Sequence, residues 1–422
     1  MDKVVITGGI KLKGEVRISG AKNAALPIMA ATILTDDECI IEGVPDLRDV
    51  QTMARIIRSL GGRVNFNEEE NRLIVSNEHI SRPEAPYDLV RIMRASVCVL
   101  GPLLARCGEA RVSMPGGCII GHRPIDLHLL GLKQLGADIK VEHGYVVAKG
   151  RKLRGTGIYL GGAFGSSVLA TANVMMAATL AHGETTIENA ASEPEVCDLA
   201  NFLNFMGASI QGIGSHFLSI RGVRRLHGTK YRIIPDRIEA GTFMIAGAIT
   251  KGEVRVREAR PDHLVAVINK LRETGSSVEV KGNDMIVSGG KKVLPTDITT
   301  LPYPGFPTDM QAQMMSLLAL TRGISLITEK VYPDRFMHVG ELTRMGADIH
   351  VERGSAIVKG VEYLSGAPVM ASDLRASAAL ILAGLVAEGA TEVRRVYHLD
   401  RGYDCLEKKL SLLGAKIKRE KE

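Results

Sequence analysis

Six helix-like stretches of this chain end in the same way, in a glycine followed by a small residue, a variable residue and a β-branched residue. The β-branched residue opens a run in which apolar and polar positions alternate, as in segments 139–142 and 349–352, and a period of two is typical of a half-buried strand. The glycines recur at intervals of 68 to 75 residues, at Gly61, Gly136, Gly207, Gly275, Gly346 and Gly414. The pattern predicts six copies of one structural unit.

A second pattern precedes the glycine signature: an Ala- and Met-rich run that ends in a short turn and a β-branched segment. In segment 165–188 this run meets Gly183, which can adopt the left-handed C-cap conformation, before residues 185–187 with strand propensity. One unit therefore reads helix, strand, helix, strand pair. The interval exceeds the solenoid periods of about 20 to 50 residues, so each copy is a small α/β unit. Because 422 residues exceed the size of a single core, we expect two domains of three units.

Composition limits the possible partners. Lys and Arg number 53 against 47 Asp and Glu, and this net charge of +6 suits anionic small ligands better than a nucleic-acid surface. Aromatic residues make up only 4% and Trp is absent, which disfavours stacking on single-stranded nucleic acid. The six cysteines form no Cys-x-x-Cys motif, and neither a signal peptide nor a membrane-spanning run is evident. We therefore expect a cytoplasmic protein with free thiols and no membrane insertion.

The candidate chemistry lies in one loop rather than in a cofactor motif. Gly-x-Gly-x-x-Gly, Gly-x-x-x-x-Gly-Lys-Ser/Thr and His-Glu-x-x-His do not occur, and the His and Cys residues lack metal-ligand spacing. Pro and Gly residues predict a loop in segment 114–128, which carries the thiol of Cys118, two imidazoles and the guanidinium of Arg123. A thiol beside a cation can become reactive, whereas most lone cysteines are inert. Cys118 is therefore a candidate reactive thiol.

Other charged residues have ordinary structural explanations when each is taken alone. Asn23 can cap a helix beside a surface Lys22, and Asp309 can serve as an N-cap or as a first-turn acid. The charges in segments 373–375 and 400–403 can form surface ion pairs, which contribute little to stability. Only their joint occurrence argues for a site.

Taken together, these segments resemble the UDP-N-acetylglucosamine 1-carboxyvinyltransferase family of enolpyruvyl transferases. The resemblance runs from end to end of the chain, and its separated motifs follow in the family's order. The matching segments are Ser19-Gly-Ala-Lys22-Asn23-Ala, Met93-Arg94-Ala-Ser96, Pro115-Gly-Gly-Cys118, Arg123-Pro-Ile-Asp126-Leu-His128, Glu188-Asn-Ala-Ala with Glu193-Pro-Glu195, Pro235-Asp-Arg237, Pro307-Thr-Asp309-Met-Gln311, Arg335-Phe-Met-His338, Asp373-Leu-Arg375-Ala and His398-Leu-Asp-Arg401-Gly.

The resemblance implies a fold and an activity. The fold is a two-lobed, inside-out α/β barrel with six βαβαββ repeats in two pseudo-threefold domains: an inserted lobe of residues 22–234, which carries the Cys118 loop, and a second lobe of residues 1–21 and 235–422. The implied enzyme transfers the enolpyruvyl group of phosphoenolpyruvate to the 3-hydroxyl of UDP-N-acetylglucosamine and releases phosphate. This is the first committed step of peptidoglycan biosynthesis, on which the cell wall, cell shape and cell division depend. No cofactor, metal or nucleic acid is implied.

The resemblance also assigns roles to residues. Asp309 accepts or orients the hydroxyl proton, and Cys118 serves as the acid, can bond covalently to phosphoenolpyruvate and is the position that fosfomycin alkylates. The implied catalytic residues are Cys118, Asp309, Lys22 and Arg401. The implied phosphoenolpyruvate contacts are Lys22, Asn23, Arg123, Arg375 and Arg401. The implied UDP-sugar contacts are Asn23, Arg94, Arg123, Pro124, Ile125, Asp126, Leu127, Ser167, Val168, Asp309, Val331 and Arg335.

The chain departs from the family around the expected diphosphate contacts. Gly165 stands where many members have Lys, and Leu169 stands where many have Gly, so one cation and some backbone room are missing. Two alternatives remain: 5-enolpyruvylshikimate-3-phosphate synthase, whose lysine is typically followed by Ser rather than Asn23 and which lacks the Pro-Gly-Gly-Cys loop, and a non-catalytic regulatory paralogue. The joint retention of the implied catalytic residues argues against a dead copy. An RNA cyclase fold is disfavoured by the low aromatic content.

Overall fold

The computed structural model describes residues 2–116, 124–163 and 165–422. Within these ranges it has 26 strands, 13 α-helices and five short 3-10 helices. The strands are β1 Asp2–Thr7, β2 Lys13–Arg17, β3 Cys39–Glu42, β4 Arg63–Asn67, β5 Arg72–Ser76, β6 Glu84–Ala85, β7 Glu109–Ser113, β8 Asp138–Glu142, β9 Tyr145–Lys149, β10 Gly157–Tyr159, β11 Gly161–Gly162, β12 Gly165–Ser166, β13 Glu184–Glu188, β14 Ser209–Gln211, β15 Phe217–Arg221, β16 Lys230–Arg232, β17 Glu253–Arg257, β18 Ser277–Lys281, β19 Asp284–Ser288, β20 Ile298–Thr300, β21 Ile324–Glu329, β22 Asp348–Glu352, β23 Ser355–Lys359, β24 Pro368–Met370, β25 Ala390–Arg394 and β26 Lys416–Lys421.

The helices separate the strands in a repeating order. The α-helices are α1 Lys22–Ala31, α2 Arg48–Ser59, α3 Tyr87–Val90, α4 Leu100–Cys107, α5 Asp126–Gln134, α6 Val168–Ala178, α7 Pro194–Phe205, α8 Arg237–Ile249, α9 Val265–Glu273, α10 Gln311–Leu318, α11 Val339–Arg344, α12 Leu374–Gly384 and α13 Leu406–Leu412. The 3-10 helices are Thr32–Leu34, Arg94–Val99, Pro261–His263, Thr308–Met310 and Val396–Arg401. No helix in the described ranges is long and apolar enough to cross a membrane.

Six four-stranded sheets share one plan. In each, an edge strand pairs in parallel with the next strand, and the other two strands are antiparallel, as where β20 runs parallel to β21 and β21 pairs antiparallel with β23. The strand orders are β16-β3-β5-β4, β6-β7-β9-β8, β10-β13-β15-β14, β2-β17-β19-β18, β20-β21-β23-β22 and β24-β25-β1-β26. With the intervening helices this is a βαβαββ repeat, so the α/β class and the sixfold repeat predicted from the sequence are confirmed.

Distant parts of the chain complete three of these sheets. Strand β16 supplies the parallel edge strand to β3, and β2 supplies it to β17 across the long intervening segment. Strand β1 lies between β25 and β26, with Val4 opposite Val393 and Asp2 opposite Lys421. The two ends of the described chain are therefore joined in one sheet.

The chain divides into two compact units, each with its own hydrophobic core. One consists of residues 20–116, 124–163 and 165–234, and the other of residues 2–19 and 235–422. Each unit holds three of the six repeats. The first division falls between Ser19 and Gly20, two residues before the position expected from the sequence, and the second falls between Ile234 and Pro235.

The first helix of each repeat lies in the core because small residues let these helices pack closely. In α8 every residue from Ile238 to Ile249 is buried, and α8, α10 and α12 contact one another. In the other unit a Cβ added at Gly101 would overlap the backbone oxygen of Asn173. The second helix is instead amphipathic: α2 buries Met53 and Ile57 and exposes Arg55. Helix type therefore follows from the position in the repeat.

The six signature glycines end the second helix of each repeat, as predicted. Their φ angles lie between 85° and 107°, in the left-handed region that costs an L-residue about 1 to 2 kcal/mol. A Cβ would meet no atom within 4 Å at Gly346 or Gly414, whereas at Gly61 it would overlap the carbonyl oxygen of His79. The constraint at Gly346 and Gly414 is therefore one of backbone conformation alone.

Replacement of these glycines tests that constraint. We expect Gly346→Ala and Gly414→Ala each to lower the free energy of unfolding by about 1 to 2 kcal/mol through backbone strain, and Gly61→Ala to lower it more because of the overlap. Urea unfolding measures the change. Gly340→Ala is the matched control, because Gly340 lies within α11 with open space around it and without a positive φ. Equal effects at Gly340 and Gly346 would contradict this explanation.

Candidate active site

Lys22 is the first residue of α1 and forms a buried ion pair. Gly20 allows the chain to pass close to Gly43, where an added Cβ would overlap the backbone oxygen. The Nζ atom of Lys22 lies 3.2 Å from Oδ2 of Asp49, in the first turn of α2, and the two side chains are 7% and 4% exposed. Sequence reasoning missed Asp49. The possible signal was an acidic residue at a position on the apolar face of the amphipathic helix α2. The surface-lysine alternative is wrong.

Asn23 lies in the first turn of α1 and does not cap it. The N-cap position is Ala21, which makes no side-chain capping bond, so the capping alternative for Asn23 is wrong. Asn23 itself is half-buried next to Lys22. A role outside helix capping is therefore left for its side chain.

Arg94 holds the last part of the predicted loop 114–128, which ends earlier than predicted because α5 begins at Asp126. Its Nη2 atom donates a hydrogen bond of 3.1 Å to the carbonyl oxygen of Pro124. Ile125 is buried, and Asp126 is exposed at the start of α5. Leu127 is half-buried in the same turn. Cys118 and Arg123 lie outside the described residues.

The expected diphosphate contacts lie at the start of α6. Ser167 is the N-cap, and its Oγ accepts a hydrogen bond of 3.4 Å from the backbone N–H of Ala170. Val168 is half-buried as the first residue of the helix. Gly165, in the hairpin of β11 and β12, has a φ of 89°. A lysine at position 165 would therefore be strained in this hairpin.

Asp309, Arg335 and Arg375 meet in one cluster. Nη1 of Arg335 lies 2.8 Å from Oδ1 of Asp309, and Nη2 of Arg375 lies 3.0 Å from Oδ2. The side chains of Arg335 and Arg375 are 5% and 1% exposed, against 27% for Asp309. One carboxylate thus receives a guanidinium on each oxygen and keeps an accessible surface.

The cluster fixes the charge of Asp309. Burial favours the neutral acid, but the guanidinium groups of Arg375 and Arg335 outweigh it, so the pKa of Asp309 lies well below its usual range. Although burial opposes it, the carboxylate in turn raises the pKa of both arginines. All three groups are charged at neutral pH.

Arg375 is buried and does not form the surface ion pair that was one alternative for segment 373–375. Asp373 does not pair with it but caps α12, accepting bonds of 2.8 Å from the N–H of Arg375 and 3.2 Å from that of Ala376. Within the described residues, the buried Nε and Nη1 atoms of Arg375 have no hydrogen-bond partner. The surface-pair alternative for segment 373–375 is therefore wrong, and two donors of a buried cation remain for another acceptor.

Glu329, which sequence reasoning missed, organises the surroundings of Asp309. Its Oε2 accepts a bond of 2.9 Å from the hydroxyl of Thr308, and its Oε1 accepts one of 2.9 Å from the N–H of Val331. Arg335 also donates to Thr308, at 3.1 Å. Val331 is thereby tied to the turn that carries Asp309. The position of Glu329 at the end of β21 was its only local signal.

The remaining predicted cation, Arg401, belongs to the same unit. It ends the 3-10 helix Val396–Arg401 and is half-buried. Its neighbour Asp400 pairs with Arg419.

In the other unit His128 is buried next to Asn173, and burial, together with the charge of Arg94, lowers the pKa of His128 to about 3. No group of His, Cys, Asp and Glu suited to a metal ion occurs in the part of the chain that the structure describes.

Known proteins match this chain over its whole length. The sequence model of a family described as EPSP synthase (3-phosphoshikimate 1-carboxyvinyltransferase) matches residues 6–410. The UDP-N-acetylglucosamine 1-carboxyvinyltransferase of Methylacidiphilum infernorum is 55% identical over 419 residues, covering 99% of each chain. That of Desulforapulum autotrophicum is 56% identical over 422 residues, covering 100% of each. The crystal structure of the enolpyruvyl transferase NikO from Streptomyces tendae superposes with a TM-score of 0.89 at 27% identity, covering 99% of this chain and 98% of that one.

The fold and these matches define an enolpyruvyl (carboxyvinyl) transferase. With more than half of its residues identical to each of two full-length relatives, the chain belongs to the UDP-N-acetylglucosamine 1-carboxyvinyltransferase family. The resemblance, the fold class and the transferase class predicted from the sequence are confirmed, and the relatives favour this family over the shikimate enzyme.

Proposed function

We propose that this protein transfers the enolpyruvyl group of phosphoenolpyruvate to the 3-hydroxyl of UDP-N-acetylglucosamine, in the cytoplasm, as the first committed step of peptidoglycan biosynthesis. The observation that carries the proposal is the accessible carboxylate of Asp309 between two buried arginines, one of which has unused donors. The names of the full-length relatives support the choice of substrates.

The reaction adds a hydroxyl across a double bond and then eliminates phosphate. The hydroxyl oxygen bonds to C2 of phosphoenolpyruvate while a proton is added to the methylene carbon C3, and the hydroxyl loses its own proton. Loss of a proton from C3 and cleavage of the bond from C2 to the phosphate oxygen then leave the enolpyruvyl ether and inorganic phosphate. The site must hold two anionic substrates and move protons at two atoms.

Fixed cations hold the anions in this proposal. Arg375 offers the two buried N–H donors of Nε and Nη1 to an oxygen of phosphoenolpyruvate, and a buried guanidinium binds an anion more strongly than an exposed one. By family resemblance Lys22 supplies a second charge, and within its own unit it is held by Asp49 at 3.2 Å. Asn23, Arg123 and Arg401 complete the phosphoenolpyruvate site by family resemblance. No organic cofactor takes part.

Asp309 orients the 3-hydroxyl and accepts its proton. While both arginines pair with it, its pKa is lowered and it is therefore a weak base. When an anionic oxygen of the co-substrate binds Arg375, the guanidinium stabilises the carboxylate of Asp309 less. The pKa of Asp309 then rises, and Asp309 becomes a stronger base. Proton removal is thereby coupled to the occupancy of the site.

The other roles follow the family resemblance. Cys118 donates the proton to C3 and can form a covalent adduct with phosphoenolpyruvate, and fosfomycin alkylates it. The UDP-sugar is held by the following residues: Asn23, Arg94, Arg123, Pro124, Ile125, Asp126, Leu127, Ser167, Val168, Asp309, Val331 and Arg335. With Gly165 in place of a lysine, the diphosphate relies on backbone N–H groups at the start of α6.

Phosphate release tests the proposal directly. We expect the protein to release phosphate from phosphoenolpyruvate with UDP-N-acetylglucosamine and not with shikimate 3-phosphate, because the matching motifs are those of the UDP-sugar enzymes. Release with shikimate 3-phosphate alone would assign the sister activity. No release with either acceptor would support the non-catalytic paralogue.

Asp309→Asn tests the role of the carboxylate. The substitution keeps the shape of the side chain but removes the base, so we expect turnover to fall by at least about a hundredfold with much less change in UDP-sugar affinity. Asp348→Asn is the control, because Asp348 is an exposed aspartate of the same unit, 3.8 Å from Lys359. Steady-state kinetics and ligand titration separate the two quantities. Near-normal turnover in Asp309→Asn would remove Asp309 from the mechanism.

A further inference from the structure

Tyr403 lies buried against Arg375, one member of the cluster of Asp309, Arg335 and Arg375. The residue is 3% exposed, and Cζ of Arg375 lies 5.2 Å from the ring centroid, within the range of a cation–π contact. Its hydroxyl lies 2.9 Å from Oγ1 of Thr242 and 3.1 Å from Nε2 of Gln313. The side chain therefore supports the guanidinium of Arg375 and also enters a buried hydrogen-bond network.

The hydrogen bonds around the hydroxyl of Tyr403 have one consistent set of directions. The hydroxyl of Thr242 donates its only proton to the carbonyl oxygen of Ile238 at 2.8 Å, so the hydroxyl of Tyr403 must donate to Thr242. Burial raises the pKa of Tyr403, which therefore keeps this proton. The oxygen of Tyr403 accepts from Gln313, and the neighbouring guanidinium of Arg375 lowers the pKa of Tyr403 without outweighing burial.

Gln313 connects Tyr403 to the backbone of Asp309. Its Nε2 also donates to the carbonyl oxygen of Asp309, at 2.9 Å. A flipped amide would bring two oxygens together there, so the amide orientation is fixed. Gln313 therefore donates to Asp309 on one side and to Tyr403 on the other. Tyr403 donates in turn to Thr242, and Thr242 donates to the backbone of α8.

We propose that Tyr403 is a positioning residue for the transfer reaction. The inference rests on the proposed function and deepens it. The ring fixes the position of the Arg375 guanidinium. The hydroxyl, through its hydrogen bond with Gln313, fixes the position of the turn Thr308–Met310, which carries Asp309. One side chain therefore fixes both partners of the Asp309–Arg375 ion pair without touching substrate. A displacement of a reacting group by about 1 Å costs up to about a hundredfold in rate.

Tyr403→Phe removes the hydroxyl and keeps the ring under Arg375. We expect kcat to fall about tenfold while KM for each substrate changes by less than about threefold, because the misplaced carboxylate acts in the transition state more than in binding. Tyr363→Phe is the matched control, since Tyr363 is a 54% exposed tyrosine of the same unit. We expect wild-type kinetics for it. An unchanged kcat in Tyr403→Phe would overturn the inference.

A double-mutant cycle separates positioning from a purely structural role. If Tyr403 acts through Asp309, the Tyr403→Phe change should cost less than about twofold in an Asp309→Asn background. A structural role would give the same tenfold loss in both backgrounds and would overturn the inference. Should Tyr403→Phe fail to fold, Thr242→Val removes the acceptor of its hydroxyl and is expected to shift kcat in the same direction, with the same cycle applied.

The assay distinguishes the failure of this inference from that of the proposed function. Wild-type protein that releases no phosphate with UDP-N-acetylglucosamine contradicts the proposed function itself, and Tyr403 then has no reaction to position. Active wild-type protein with an equally active Tyr403→Phe variant, or with additive losses in the cycle, contradicts the positioning role alone.

Discussion

The arrangement of the second unit depends on one shared carboxylate. Asp309 pairs with two buried arginines at 2.8 and 3.0 Å, and an unpaired buried charge costs several kcal/mol. Arg335 follows β21 in the fifth repeat, and Arg375 lies at the start of α12 in the sixth, so the ion pairs join two repeats. The same pairs hold Asp309 ionised, and the exposed face of its carboxylate is the part available to a ligand.

The repeat explains how such a cluster forms. Helices α6, α10 and α12 each follow the parallel edge strand of their own sheet, β10, β20 and β24, so these helices begin at the same end of their sheets. Helix α1 instead follows β2, which is the edge strand of the sheet that contains β17. In one unit Asp309 precedes α10 and Arg375 begins α12. In the other unit Lys22 begins α1 and Ser167 caps α6. The proposed site residues of each unit thus lie at or next to helix N-termini, which favour anions.

Sequence reasoning predicted the features that depend on local geometry. The signature glycines revealed the repeat in the sequence. A left-handed C-cap constrains only one residue and its immediate neighbours, so it leaves a short local pattern that can be recognised. The family resemblance identified Asp309, Arg335 and Arg375 but did not predict their contacts. The local alternatives for Lys22, Asn23 and Arg375 were wrong, whereas Asp309 does lie in the first turn of the 3-10 helix Thr308–Met310, as one local alternative predicted.

The residues that sequence reasoning missed act through contacts between distant positions. Thr242 and Tyr403 are 161 residues apart, and Lys22 and Asp49 are 27 apart, so no local pattern reveals these pairs. Glu329 likewise binds the turn of Asp309 from the end of a neighbouring strand. The roles of Cys118 and Arg123 stay predictions.

The most direct test of this account is the titration of Asp309 in the folded protein. Aspartate labelled with 13C at the carboxyl carbon, with the resonance assigned by its loss in the Asp309→Asn variant, reports protonation at this position. We expect no shift of the Asp309 signal between pH 7 and pH 4.5, because the two guanidinium groups keep the carboxylate ionised, whereas an ordinary aspartate with a pKa of about 3.9 begins to titrate in that range. Titration of Asp309 at or above its ordinary pKa would contradict the shared ion pairs on which the account rests.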